Sequence, residues 1–311
     1  MTLSERRIRT CILFAITCLL MACVSQYIAP EPKKVLIVDG QNNHPIWPKS
    51  TAMMKAFLEG NGQFVVDVYR TQYTWRGDKW LEQYPANDGR EHQSMSQAKT
   101  DPSFSPDFAQ YDVVISNFGW KAAPWPPATQ RKFEQYMQNG GGFVSVHAAN
   151  NAFPNWLEYN KMIGLGGWGG RNQKDGPYIY YNDDGELQRD MSAGQGGGHG
   201  YIHEFTIQVR HATHPIMQGL PSNWLHSKDE LYNRLRGPAE NLTVLASAYD
   251  NKKYNGYGRH EPMIMTIDYH QGRVFHTTLG HGEAVYSDPT FMSILAKGVT
   301  WAAGTNHEGL R

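Results

Sequence analysis

The chain has 311 residues, 40% of them apolar and 19% charged. That is enough to bury a core, and too aromatic and too weakly charged for disorder. Lys plus Arg and Asp plus Glu each total 29, so no global field recruits nucleic acid, and none is expected as a partner. The 31 Gly, 9 Trp, 17 Tyr and 13 His suit a loop-rich protein with a polar, aromatic-lined cleft.

Residues 1–22 read as a lipoprotein-type signal peptide. Arg6, Arg7 and Arg9 precede an apolar run from Ile12 to Ala22; at roughly ten residues this falls short of the ~20 needed to span a bilayer. The run ends in Leu20-Met21-Ala22-Cys23, which resembles the bacterial lipobox, where the cysteine is lipidated and becomes the new N-terminus. The expectation is a protein of the bacterial cell envelope, on the periplasmic or outer-membrane side, whose membrane contact is a lipid on Cys23. Plain secretion after ordinary cleavage is the alternative. Residues 23–33, with Pro30 and Pro32, read as a tether. Without residues 1–22 the chain carries 26 basic and 28 acidic residues. All three cysteines (Cys11, Cys18, Cys23) lie in or at the end of the leader. Disulfides, thiolate catalysis and Cys-ligated metal are therefore excluded from the body of the protein.

Beyond the tether, strand and helix signals alternate. Val35-Leu36-Ile37-Val38 is a continuous apolar run stopping at Asp39-Gly40, as a strand covered on both faces would. Ser50 or Thr51 opens a helix through Leu58, closed by Gly60-Asn61-Gly62. Further strands are read at 64–69, 112–116 and 142–147, with a helix from Pro126-Pro127 to Asn139 that carries Phe133, Tyr136 and Met137 on one face. From about 164 to 235 the Gly-rich stretches 164–170 and 194–200 read as flexible loops, with short strands at 178–180 and 205–209. The whole segment is an elaborated insertion near the cleft. Strands follow at 242–248, 263–269 and 273–279, the last two joined by a tight hairpin at Gln271-Gly272. A helix at about 288–303 closes the chain. This pattern predicts an α/β fold with a mainly parallel sheet.

The Gly-rich stretches lack the strand–helix setting of a dinucleotide fingerprint, and there is no Walker-type lysine, so no nucleotide cofactor is expected. In open parallel sheets the site lies beyond the carboxyl ends of the strands. His44 follows the first strand, Asn117, Trp120 and Trp125 follow the third, His147 ends the fourth, and His281 follows the strand ending at Leu279. Each histidine alone is more often a structural hydrogen-bond partner than a catalyst; their convergence favours a site. The i,i+4 pair His199 and His203 would put two ligands on one face of a helix, but the surrounding glycines argue against a helix there. His211 and His214 flank a turn and read as structural.

The segment Gly140-Gly141-Gly142-Phe143-Val144-Ser145-Val146-His147-Ala148-Ala149 resembles the strand-end signature of the ThuA-like, or trehalose-utilisation, family. The motifs His214-Pro215-Ile216, Gly219-Leu220-Pro221, Asp229-Glu230-Leu231-Tyr232, Gly272-Arg273-Val274-Phe275 and Leu279-Gly280-His281 match it in order, over residues 34–304. The resemblance implies a flavodoxin-like three-layer sandwich, similar to class I glutamine amidotransferases. His147 would stand near their nucleophilic cysteine, whose absence here rules out inherited amidotransferase activity. It also implies carbohydrate chemistry, on a glycoside or a 3-keto sugar, by hydrolysis or elimination. That chemistry needs a base of near-neutral pKa and an electrophile for a developing enolate. His147, His281, Glu230 and Asp229 are the expected catalytic set. His44, Asn117, Trp120, Trp125 and Trp168 are the expected substrate contacts, and a divalent ion at His147, His281 and His44 is an option. Two other classes stay open: a non-catalytic carbohydrate-binding lipoprotein, and a metal-dependent hydrolase of a non-sugar ester or amide.

Overall fold

Alternate residues of β1 (Lys33–Gln41) point to opposite faces, and both faces are apolar: Val35 and Ile37 enter one core, Leu36 and Val38 the other. The sheet built on this strand is therefore covered on both sides. The computed structural model describes residues 31–60 and 62–304; the expected signal peptide and Cys23 lie outside the described residues. Among these, no helix is long and apolar enough to cross a membrane.

After β1 come β2 (Phe64–Trp75), β3 (Gln93–Met95), β4 (Val113–Ser116), β5 (Gly142–Val146), β6 (Tyr178–Tyr181) and β7 (Leu187–Asp190). They are followed by β8 (Gly198–His199), β9 (His203–Val209), β10 (Asn223–Asp229), β11 (Tyr232–Asn233), β12 (Leu242–Tyr249), β13 (His260–Tyr269) and β14 (Gly272–Thr277). The main sheet runs β10-β9-β12-β13-β14-β5-β4-β1-β2-β3, with β6 and β7 attached to β13; β8 and β11 form a separate ribbon. From β3 to β14 neighbouring strands are parallel, and from β14 to β10 antiparallel. Helices α1 (Trp47–Glu59), α2 (Pro127–Gln138), α3 (Leu157–Ile163) and α4 (Pro289–Ala302) complete three layers. Met54 and Leu58 of α1 pack with Phe291 and Leu295 of α4 on one face. Phe133 and Met137 of α2 pack with Tyr159 and Met162 of α3 on the other. This is the expected three-layer α/β sandwich.

Several local expectations shift. Helix α1 starts at Trp47, because Pro48 fits a first turn. Ser50 and Thr51 are buried hydrogen-bond partners: Ser50 Oγ donates to the Trp47 carbonyl and Thr51 Oγ1 to Asp39 Oδ2. The hairpin loop is His270-Gln271, with Gly272 already paired to Tyr269 and His270 at φ 51°. Strand β10 has no counterpart in the sequence pattern: Asn223-Trp224-Leu225-His226-Ser227-Lys228-Asp229 is a polar edge strand with Leu225 exposed, and carries almost no strand-forming signal. With β9 it extends the main sheet, so the expected insertion is in part sheet.

The Gly-rich loops are clamped. Arg171, 2% exposed, donates to the carbonyls of Gly167 (2.7 Å) and Ala152 (2.9 Å) and to Asn160 Oδ1. Arg236, fully buried, donates to the carbonyls of Gly176, Ser192 and Gly194. These acceptors are all neutral, and burial lowers Arg171 to about 10. The Trp168 amide donates to the Gly196 carbonyl at 2.8 Å, which joins the two loops directly.

Candidate active site

Three histidines arrive from the carboxyl ends of three strands, as an open parallel sheet predicts. After β1, Asn42 shapes the turn that presents His44: its Nδ2 donates to the carbonyls of Asn117 and Phe118, and its Oδ1 accepts the His44 amide at 2.9 Å. His147 does not end β5 but follows it, at φ 47°, a conformation non-glycine residues adopt only under surrounding constraint. Its Nδ1–H donates to the Thr278 carbonyl at 2.6 Å. A carbonyl only accepts, so in the neutral ring Nε2 is left bare. His281 follows β14, and Glu230 enters from the antiparallel side, just after β10.

One ligand atom from each of His44, His147, Glu230 and His281 lies within 4.8 Å of the others. His281 Nδ1 is 3.0 Å and His147 Nε2 3.7 Å from Glu230 Oε2. The ring centroids of His44 lie 4.8 Å from His147 and 4.6 Å from His281. Burial, reinforced by His147 and His281, lowers His44 to about 2, so its ring is neutral. Burial works against ionisation of Glu230, but the neighbouring His147 and His281 hold its carboxyl far below the usual range. Burial likewise opposes protonation of His281, and Glu230 outweighs it, leaving His281 above the ordinary imidazole value.

This donor set fits a divalent cation. Despite their 3.0 Å separation, Glu230 Oε2 and His281 Nδ1 are both buried without an aligned hydrogen-bond partner. Three imidazoles and one carboxylate, converging on one point, are a nitrogen/oxygen set of the kind that zinc and its neighbours take.

Asp229 stands behind this cluster. Fully buried, its Oδ1 accepts the amides of Glu230 and His281, and its Oδ2 the Gly280 amide and His226 Nε2. Expected as a catalytic carboxylate, it instead fixes the two segments that carry Glu230 and His281. Asn117 is likewise internal: its Nδ2 donates to the Trp47 carbonyl, Ser50 Oγ and Thr51 Oγ1. Trp125, expected to contact substrate, is 3% exposed in the aromatic core with Phe104, Phe118, Phe133 and Trp156.

Trp120 and Trp168 do reach the cleft. With Asn43, His44, Asn151, His199, Glu230 and Tyr232 they line a cavity of about 190 Å3. Trp168 sits at φ 53° with its ring edge-on to Tyr232, centroids 4.9 Å apart. The pair His199 and His203 separates. His199 stays at the cavity with Nε2 3.7 Å from Glu230 Oε1, while His203 stacks on Tyr254 at 3.8 Å. Tyr232 is the residue that sequence reasoning passed over. Its hydroxyl donates to His147 Nε2 at 2.9 Å, lies 3.4 Å from His44 Nε2, and accepts from Asn151 Nδ2 at 3.3 Å. The available signal was its place two residues beyond Glu230, the spacing that returns an extended chain to the same side.

No curated protein matches the sequence. Among solved structures, a ThuA-like protein from Parabacteroides merdae is 41% identical, with a TM-score of 0.76 over 88% of this chain and 90% of that one. A ThuA-like protein from Bacteroides uniformis shares the fold at 18% identity, with a TM-score of 0.54 over 89% of this chain and 94% of that one. The sequence profile of the ThuA family, described as trehalose utilisation, matches residues 34–302, which takes in every residue of the histidine–glutamate cluster: the chain belongs to the ThuA family.

Proposed function

We propose that this protein is a carbohydrate-active enzyme of the cell envelope, tethered through a lipid on Cys23, that cleaves a glycoside or 3-keto sugar at the cluster of His44, His147, His281 and Glu230. The observation that supports it is the convergence of four donor atoms within 4.8 Å beside a small cavity with two tryptophans in its wall. The four residues would hold a divalent ion, which would supply charge stabilisation for an oxyanion. Trp120 and Trp168 would orient the sugar by covering its apolar faces. His199, outside the cluster and on the cavity wall, would move a proton at Nε2. In a 3-keto sugar the C2–H is acidified. Its removal leaves the electron pair in an enolate, whose collapse forms the C1–C2 double bond and expels the glycosidic oxygen, which takes up a proton.

The test compares a 3-keto disaccharide with the plain disaccharide, with and without chelator, on protein of measured metal content. The expected result is turnover of the keto sugar, lost on chelation and restored by zinc or manganese. Binding without turnover of either sugar would mean a carbohydrate-binding protein. Turnover indifferent to chelator would remove the ion from the reading.

A further inference from the structure

We propose that Tyr232 is a fifth ligand of the cation held by His44, His147, His281 and Glu230, bound through its phenolic oxygen. The inference rests on the metal centre of the preceding reading and adds a residue to it. Donors about 2 Å from one ion stand roughly 3 to 4 Å from each other. The Tyr232 oxygen meets that spacing twice, at 2.9 Å from His147 Nε2 and 3.4 Å from His44 Nε2. It therefore stands beside two of the four donors at the spacing that ligands of one ion keep.

The hydrogen bonding leads to the same place. His147 Nε2 accepts the Tyr232 proton only while its lone pair is free. Once both ring nitrogens that face Tyr232 bind an ion, the hydroxyl has lost its acceptors. Its remaining contact, Asn151 Nδ2, is a donor. The phenol cannot turn elsewhere, because its ring is stacked on His147 at 4.4 Å and held edge-on by Trp168. A fully buried O–H without an acceptor is costly. Ligation removes that cost: the O–H bond breaks, a metal–oxygen bond forms, and the proton passes to solvent water through the cavity that Tyr232 lines. The Asn151 N–H then donates to a phenolate oxygen, the stronger acceptor.

The experiment adds one equivalent of Cu(II) to the metal-free protein and records visible absorption and resonance Raman spectra. The wild type should show a phenolate-to-copper charge-transfer band with phenolate ring modes. Tyr232→Phe, which keeps the ring stack, should still take up one equivalent and lose the band. Asn151→Leu should keep the band at a shifted wavelength, and it decides the matter with the wild type if Tyr232→Phe does not fold. Copper bound by the wild type and not by His44→Ala, with no band, would overturn the ligation of Tyr232 and leave the four-residue centre standing. A band retained in Tyr232→Phe would do the same. Failure of the wild type to bind copper at all would overturn the metal centre, and this inference with it.

Discussion

Asp229→Asn is the most searching single substitution, because it preserves shape while it removes the charge and turns one acceptor oxygen into a donor. Each oxygen of Asp229 accepts two donors: the Glu230 and His281 amides on Oδ1, the Gly280 amide and His226 on Oδ2. An asparagine can offer one oxygen, so whichever way it is turned its NH2 faces two donors. Two hydrogen bonds to a charged acceptor are lost, each worth about 1.5–3 kcal/mol, so the expected destabilisation is about 3–6 kcal/mol. The same change frees the backbone under both Glu230 and His281, so zinc binding should weaken with it. The first assay is urea unfolding at neutral pH, with unchanged slope and a lower midpoint; the second is calorimetric zinc titration. Burial works against the charge of Asp229, yet His226, His147 and the amides hold its carboxyl below the ordinary value of 3.8. The stability it contributes is thus present above about pH 4 and lost as pH falls through the lowered value, so the two proteins should converge in acid. A loss below about 1 kcal/mol, with zinc affinity intact, would refute the reasoning that this carboxylate organises the site.

His276 is fully buried, donates from Nδ1 to the Ile163 carbonyl and accepts at Nε2 from Asn150, and burial lowers it to about 4. Its folded state refuses a proton that the unfolded chain accepts below 6.5, so up to about 3 kcal/mol of stability should disappear between pH 7 and pH 4; an unfolding midpoint constant over that range would contradict this. Trp125→Ala should cost about 3–5 kcal/mol through its core cavity and leave sugar binding per folded molecule unchanged. Trp168→Ala should do the reverse, with denaturation and calorimetry read side by side. Cys23→Ala should release the protein from the membrane fraction, and a lipid-free N-terminal peptide from the wild type would defeat the anchoring.

The parallel core was readable because burial on both faces writes itself as unbroken apolar runs, as in Val35 to Val38, and because strand ends then locate His44, His147 and His281. Glu230 came from a motif and not from periodicity, since it follows a polar edge strand that lacks alternation. The failures are of one kind. A tryptophan after a strand reads alike whether it faces a cleft, as Trp120 does, or fills a core, as Trp125 does; only the packing of Phe104, Phe118 and Trp156 decides. Asp229 and Glu230 are neighbours in sequence with opposite assignments, because one side chain meets backbone amides and the other meets imidazoles. Tyr232 gave no chemical signal of its own; its meaning lies in the two rings it touches.

Strand β14 has a parallel neighbour on one side, β5, and an antiparallel one on the other, β13. Three donors of the cluster come from the parallel half and Glu230 from beyond the antiparallel one. An ion bound there would act as a staple across that seam. At a thousandfold excess over its dissociation constant, such a staple adds about 4 kcal/mol to the folded state. Amide exchange should then slow on both sides of β14 together, although only one edge of the sheet has gained a ligand. It also means that exchanging the segment between β10 and β11 would alter the chemistry while the parallel half kept its fold.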